Sequence, residues 1–173
     1  ADADSGDGLQ PDPDRAAPGP GNGTLEGAAP PAATPLLDEA ARRVAGAFDT
    51  ELGGLRGRMK FPMVPLLDFL LARFRDSRDP GVGQALAATL DAMATARIRD
   101  PVGGGFHRYA TAPTWTVPHF EKMLYDNAQL ARLFGEAAIA MDRPDWAGVA
   151  RDTLDFVLRD LTGDDGLFHA SLD

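Results

Sequence analysis

Three glycine-rich turns constrain this chain more than any other feature. "DTELGGL" occupies residues 49–55, "DPVGGGF" residues 100–106 and "TGDDGLF" residues 162–168. In each, an acidic residue precedes glycines that permit a tight backbone reversal, and an apolar residue closes the run. The turns follow every second helical segment rather than every one, so glycine's habit of ending helices does not account for them. Recurrence at about fifty to sixty residues marks stacked helix pairs, whose repeated loops gather at one end. Two and a half such pairs cannot close a ring. They make an arc.

Apolar spacings of three and four residues predict five helices. The first carries Leu36, Leu37, Ala40, Val44, Ala47 and Phe48. The second opens after Pro65, a residue suited to a first helical turn, and carries Leu66, Leu67, Leu70, Leu71 and Phe74. The third starts around Pro80 with Val82, Leu86, Leu90 and Met93. The fourth starts near Pro118 and runs to Met141, with Met123, Leu130 and Phe134 along its stripe. The fifth, from about Pro144 to Leu161, aligns Trp146, Val149, Ala150, Thr153, Phe156 and Val157. No segment alternates with period two for long enough to demand a sheet, so the expected class is all-α.

With 173 residues, 44% of them hydrophobic, the chain has material for one compact domain. Its net charge of −9 is uneven. Residues 1–35 hold six acids against one arginine, with six glycines, seven prolines and only Leu9 and Leu25 as large apolar residues. Such a stretch buries too little surface to offset its ordering entropy, and is expected to be a disordered acidic tail ahead of a helical domain at 36–173. The absence of a basic stripe argues against nucleic acid. No apolar run approaches a membrane span, so no membrane partner is expected and a cytoplasmic setting is. Without cysteine there is no disulfide, thiol nucleophile or Cys-held metal.

The chemistry-bearing residues gather in "GGGFHRYATAPTWTVPHFEKMLYDNAQL". The glycines would bring His107, Arg108 and Tyr109 close to a ligand. His119 is expected in the first turn of the fourth helix, with Glu121 two residues on. At helical spacing His119 and Asp126 share one edge of the apolar stripe, and Asn127 sits in its middle. Imidazole and carboxylate at one mouth suit general acid–base work near neutral pH. The plainer alternatives are a His107 that only ties its loop together, a His119 that only caps its helix, and an Asn127 that satisfies a backbone group in the core. Arg58 and Lys60 read as solvated charges. No metal-ligand spacing appears, and neither "GVGQAL" nor "DPVGGGFHR" has the context of a nucleotide loop, so no metal or cofactor is implied.

"KFPMVPLLDFLL", "GGGFHRYATAPTWTVPHFEKMLYDNAQLARLF" and "TLDFVLRDLTGDDGLFHA" resemble the thioredoxin-domain-containing family that includes spermatogenesis-associated protein 20. The resemblance covers roughly Leu36 to Asp173. It implies the first hairpins of an (α/α)6 toroid of the six-hairpin glycosidase type, a domain that follows a thioredoxin-like one in the family. None of the matched residues belongs to the thioredoxin-like part, so no redox chemistry is carried over. The first loop departs from the family, with "GGLRGRMKFP" in place of "GGFGGAPKFP". The toroid implies epimerase- or glycosidase-like chemistry on a carbohydrate. His119, His107 and Glu121 would be the catalytic candidates; Arg108, Tyr109, Trp115, Asp126 and Asn127 would position substrate, the aromatics by stacking on sugar faces. The other expectation is a non-enzymatic helical module that self-associates, or binds a protein partner, through the unclosed edge of the toroid.

Overall fold

The computed structural model describes residues 33–173. Of the expected tail, residues 1–32 lie outside the described residues, while 33–35 belong to the first helix. The elements in order are α1 (Ala33–Gly46), α2 (Val64–Ser77), α3 (Pro80–Thr95), β1 (Tyr109–Ala110), β2 (Pro118–His119), β3 (Lys122–Met123), α4 (Leu124–Met141), α5 (Pro144–Asp160) and β4 (Ser171–Leu172).

Two tight hairpins are built alike. Between α2 and α3, Arg78 takes the left-handed conformation (φ 53°) and its N–H satisfies the Phe74 carbonyl. Asp79 then caps α3, accepting from the N–H groups of Gly81 and Val82, and Pro80 opens the helix. Between α4 and α5, Asp142 is left-handed (φ 54°), its N–H satisfies the Ala138 carbonyl, and Pro144 opens the next helix. The glycine-rich loops lie at the other ends of these helices. Contacts of α2 with α4, and of α1 with α3, set the helices in two layers. Leu67, Leu70 and Leu71 of α2, Leu86, Leu90 and Met93 of α3, Leu130, Leu133 and Phe134 of α4, and Trp146 of α5 are fully buried between them. Each such side chain contributes roughly 1.5–3 kcal/mol of transfer free energy. No described helix is long and apolar enough to cross a membrane.

Two helices differ from expectation. In α1 the buried positions are Ala41 and Ala45, followed by Phe48 just past the helix, while Leu36 is 71% exposed and Leu37 and Ala47 face solvent. Alanines let α1 approach both α2 and α3, so the face is rotated from the one the leucines suggested. The fourth helix starts at Leu124, not near Pro118. Pro118 and His119 pair with Ala110 and Tyr109, and Lys122 and Met123 pair with Leu172 and Ser171. The Arg108 N–H donates to the Glu121 carbonyl (2.9 Å) and the Thr111 N–H to that of Val117 (2.8 Å). Backbone groups that a helix would use are satisfied by these distant partners instead.

Each of the three turns is closed by a bridge, Phe48–Leu55, Arg99–Phe106 and Thr162–Phe168, the first two across seven positions and the third across six. In the first, the Asp49 carboxylate accepts from the N–H groups of Glu51 and Leu52; in the second, Asp100 accepts from those of Val102 and Gly103. Gly53 and Gly54 (φ 72° and 70°) correspond to Gly104 and Gly105 (φ 79° and 72°). A Cβ at Gly54 would lie 2.6 Å from the Trp115 ring, and one at Gly105 would run into the Phe156 ring. Lys60 is not solvated as expected: it is 1% exposed, and its ammonium donates to the carbonyls of Gly53 (2.7 Å) and Leu55 (2.8 Å). Burial pushes its pKa down. Arg58 is exposed.

Candidate functional site

Residues 106–111 run as an extended segment held on both sides. Ala110 exchanges backbone hydrogen bonds with Lys60, and the 108–111 stretch pairs with 117–121. Side chains of consecutive extended residues point to opposite faces, which separates His107 from Arg108. They line different cavities.

The Arg108 cavity has a volume of about 300 Å³. Phe61, Met63, Val64 and Pro65 form the side at the start of α2; Tyr125, Asp126 and Gln129 come from the opening turns of α4. Arg108 is held by Glu121 (Nη1 to Oε2, 3.0 Å). Asp126 Oδ2 is buried and has no hydrogen-bond partner. Burial pushes the Asp126 carboxyl up, the Arg108 guanidinium opposes this, and the Glu121 charge adds to the rise. Beside the cavity three rings stack: Phe61 on Tyr109 at 4.7 Å and 23°, and Tyr109 on His119 at 4.8 Å and 17°. His119 ends this column exposed to solvent, in β2 rather than in the first turn of a helix. The arrangement offers a hydrogen-bond acceptor, an anchored guanidinium and the outer faces of Phe61 and His119; Tyr109, expected to stack on a sugar, has both faces covered by these two rings. Hydroxyl groups are the natural partners for such a set.

Of the expected residues, Arg108, Glu121 and Asp126 come together, with Tyr109 and His119 in the adjoining stack. Three do not join them. His107 is 6% exposed and meets the Phe120 ring edge-on (5.4 Å, 87°). Trp115 is fully enclosed, with its Nε1–H donated to the Leu52 carbonyl at 3.0 Å, so no ring face is left for a sugar. Asn127 is also fully buried. Its Oδ1 accepts from the Phe106 N–H (2.6 Å), and its Nδ2 donates to the carbonyls of Phe106 (3.0 Å) and Met123 (2.9 Å). These bonds fasten the second turn to α4 and leave the amide nothing to offer substrate. Phe61, Met63, Tyr125 and Gln129 were not foreseen as lining residues. Tyr125 and Gln129 lie one helical turn apart beside Asp126, a spacing that would have exposed them.

An arc of helical hairpins with long loops gathered at one end is the architecture of the α/α toroids. The chain superposes on a solved sugar epimerase from a ruminal bacterium with a TM-score of 0.66 and 12% identity, covering 80% of this chain and 40% of that one. On cellobiose 2-epimerase from Spirochaeta thermophila the TM-score is 0.65 at 19% identity, covering 83% and 41%. At these identities the likeness establishes the fold. In sequence, the chain is similar to spermatogenesis-associated protein 20 of Homo sapiens, 38% identical over 148 residues, or 83% of this chain. It spans 19% of that relative's length. No family model matches the chain.

Proposed function

We propose that the described residues form part of the wall of a carbohydrate-active site, located at the cavity between the starts of α2 and α4. The observation that carries this reading is the buried, partnerless carboxylate oxygen of Asp126, a residue that lines that cavity and whose side chain has only to turn to meet a ligand there, in a fold shared with sugar epimerases. A buried acceptor without a donor loses roughly 1–3 kcal/mol, which a sugar hydroxyl would restore. Arg108, immobilised by Glu121, donates to a second hydroxyl. His119 presents the outer face of the aromatic column, backed by Tyr109. His119 and Glu121 are the acid–base pair of this reading, the exposed imidazole exchanging protons at the solvent side.

The experiment is a set of single variants in the intact protein, followed by thermal melting and by titration with cellobiose and N-acetylglucosamine. Asp126→Asn should weaken sugar binding about tenfold or more with little change in melting, and His119→Ala should lower turnover at unchanged stability. Asn127→Ala should destabilise by roughly 1–3 kcal/mol, because it strands the Phe106 backbone groups. Wild-type sugar affinity in Asp126→Asn together with wild-type turnover in His119→Ala would remove the site.

A further inference from the structure

His107 lines a second cavity of about 390 Å³, together with Arg97, Pro101, Val102, Pro118 and Phe120. Three observations set it apart from a surface dimple. First, His107 is 94% buried and its Nδ1 has no hydrogen-bond partner. An imidazole nitrogen left this way is rare in a native interior; it is closed off from the cavity as the ring stands, and a ligand meets it once the imidazole turns. Second, the walls are preformed. Pro118 is locked in the β1–β2 pairing, and Pro101 follows Asp100, the residue that organises the second turn. Little ordering entropy is therefore lost on binding. Third, the rim exposes apolar surface, with Val102 95% and Phe120 74% accessible.

The charges around the cavity select the ligand. The Asp100 carboxylate is fully engaged, accepting from the N–H groups of Val102 and Gly103 and from the Lys122 ammonium at 2.7 Å. Arg97 makes no ion pair with any described residue. The one charge on the wall without a partner is thus positive, beside an apolar body and a hydrogen-bonding imidazole. A neutral apolar molecule would gain nothing from the exposed Arg97 guanidinium, a cation would be repelled, and a polyanion would find a single guanidinium.

We propose that this cavity binds a small amphipathic carboxylate, with its apolar body against Pro101, Val102 and Phe120 and its anionic end between Arg97 and His107. The site is independent of the Asp126 cavity. Hydrocinnamate and the matching neutral probe, hydrocinnamyl alcohol, test it by calorimetric titration and ligand-detected NMR on the intact protein. Hydrocinnamate should bind saturably at millimolar concentration or below, with ring contacts to Phe120, and the alcohol at least about tenfold more weakly. Arg97→Gln, a change at an exposed position, should bring the acid down to the alcohol's affinity without moving the melting temperature. Phe120→Ala should weaken both probes. Equal binding of acid and alcohol, unaltered acid affinity in Arg97→Gln, or no saturable binding would each overturn the proposal.

Discussion

The first and second glycine turns share one backbone design and handle their buried lysine in opposite ways. Both have an aspartate accepting two turn N–H groups, two left-handed glycines and a lysine ammonium on the carbonyl of the first of those glycines, Gly53 or Gly104. Lys60 has only carbonyls for partners, Gly53 and Leu55, and burial weakens its hold on its proton. Lys122 also reaches the Asp100 carboxylate at 2.7 Å and lies 4.7 Å above the Phe156 ring. Burial pushes Asp100 up, but Lys122 and the N–H groups of Val102 and Gly103 outweigh it and hold the carboxyl at about 2. A repeated scaffold can thus keep its geometry while its electrostatics diverge. The turn with the ion pair is the one whose long exit loop contributes to both candidate cavities, Arg108 to one and His107 with Pro118 and Phe120 to the other.

The largest effect should come from the glycine packed most tightly. Gly105→Ala forces a side chain into left-handed backbone and into the Phe156 ring. Roughly 1–2 kcal/mol from the first and 1–3 kcal/mol from the second should appear as a lowered denaturant midpoint. Lys122→Met should follow at about 2–3 kcal/mol, because a partly buried carboxylate loses its charged partner and keeps only its two turn N–H groups. Its pH dependence has a definite sign. The Asp100 pKa is depressed from 3.8 to about 2, so its contribution is fully present above the unfolded value and is lost as pH falls through the folded one. The stability gap between wild type and Lys122→Met should therefore narrow as pH drops from about 4 to about 2; a constant gap would show that the pair does not set Asp100.

Lys60→Met should cost less, about 1–2 kcal/mol, since the lost hydrogen bonds to two carbonyls are partly offset by removing a desolvated cation. Equal losses at the two lysines would erase the contrast between the turns. An effect no larger than that at Lys60 is expected in the third turn. Gly166 is left-handed (φ 79°) with nothing within 4 Å of a Cβ, so Gly166→Ala should show backbone strain alone, roughly 1–2 kcal/mol by thermal melting.

The parts of the fold legible in the sequence are those held by local spacing. The stripes of α3 and α5 are buried as the three- and four-residue intervals require, and each recurring turn is closed by a bridge, the first two of them alike. What escaped depends on partners far along the chain. The apolar rhythm of α4 extends back toward Pro118, yet pairing with residues 109–110 and 171–172 overrides it, and nothing local announces those strands. Lys60 and Trp115 look like surface or ligand-facing residues until the turn that encloses them is known. In the candidate site, Arg108 and Asp126 fall on one cavity through the same non-local pairing. The alternation along 106–110 that sends His107 elsewhere could be applied only once that segment was seen to be extended.

Trp115 has a consequence for how the chain matures. Its indole, in left-handed backbone (φ 62°), rests on Gly54 and bonds to the Leu52 carbonyl, 63 positions earlier. During synthesis the first turn therefore waits without its cover while those residues are added, several seconds at about 5–20 residues per second. Until then Gly54 and the stem of Lys60 stand open to water. Closing so long a loop is entropically slow compared with forming either neighbouring hairpin. The arrival of this one side chain marks the moment at which a nascent strip of helices becomes a fastened arc, and its fluorescence, read with Trp146 replaced by phenylalanine, provides the clock.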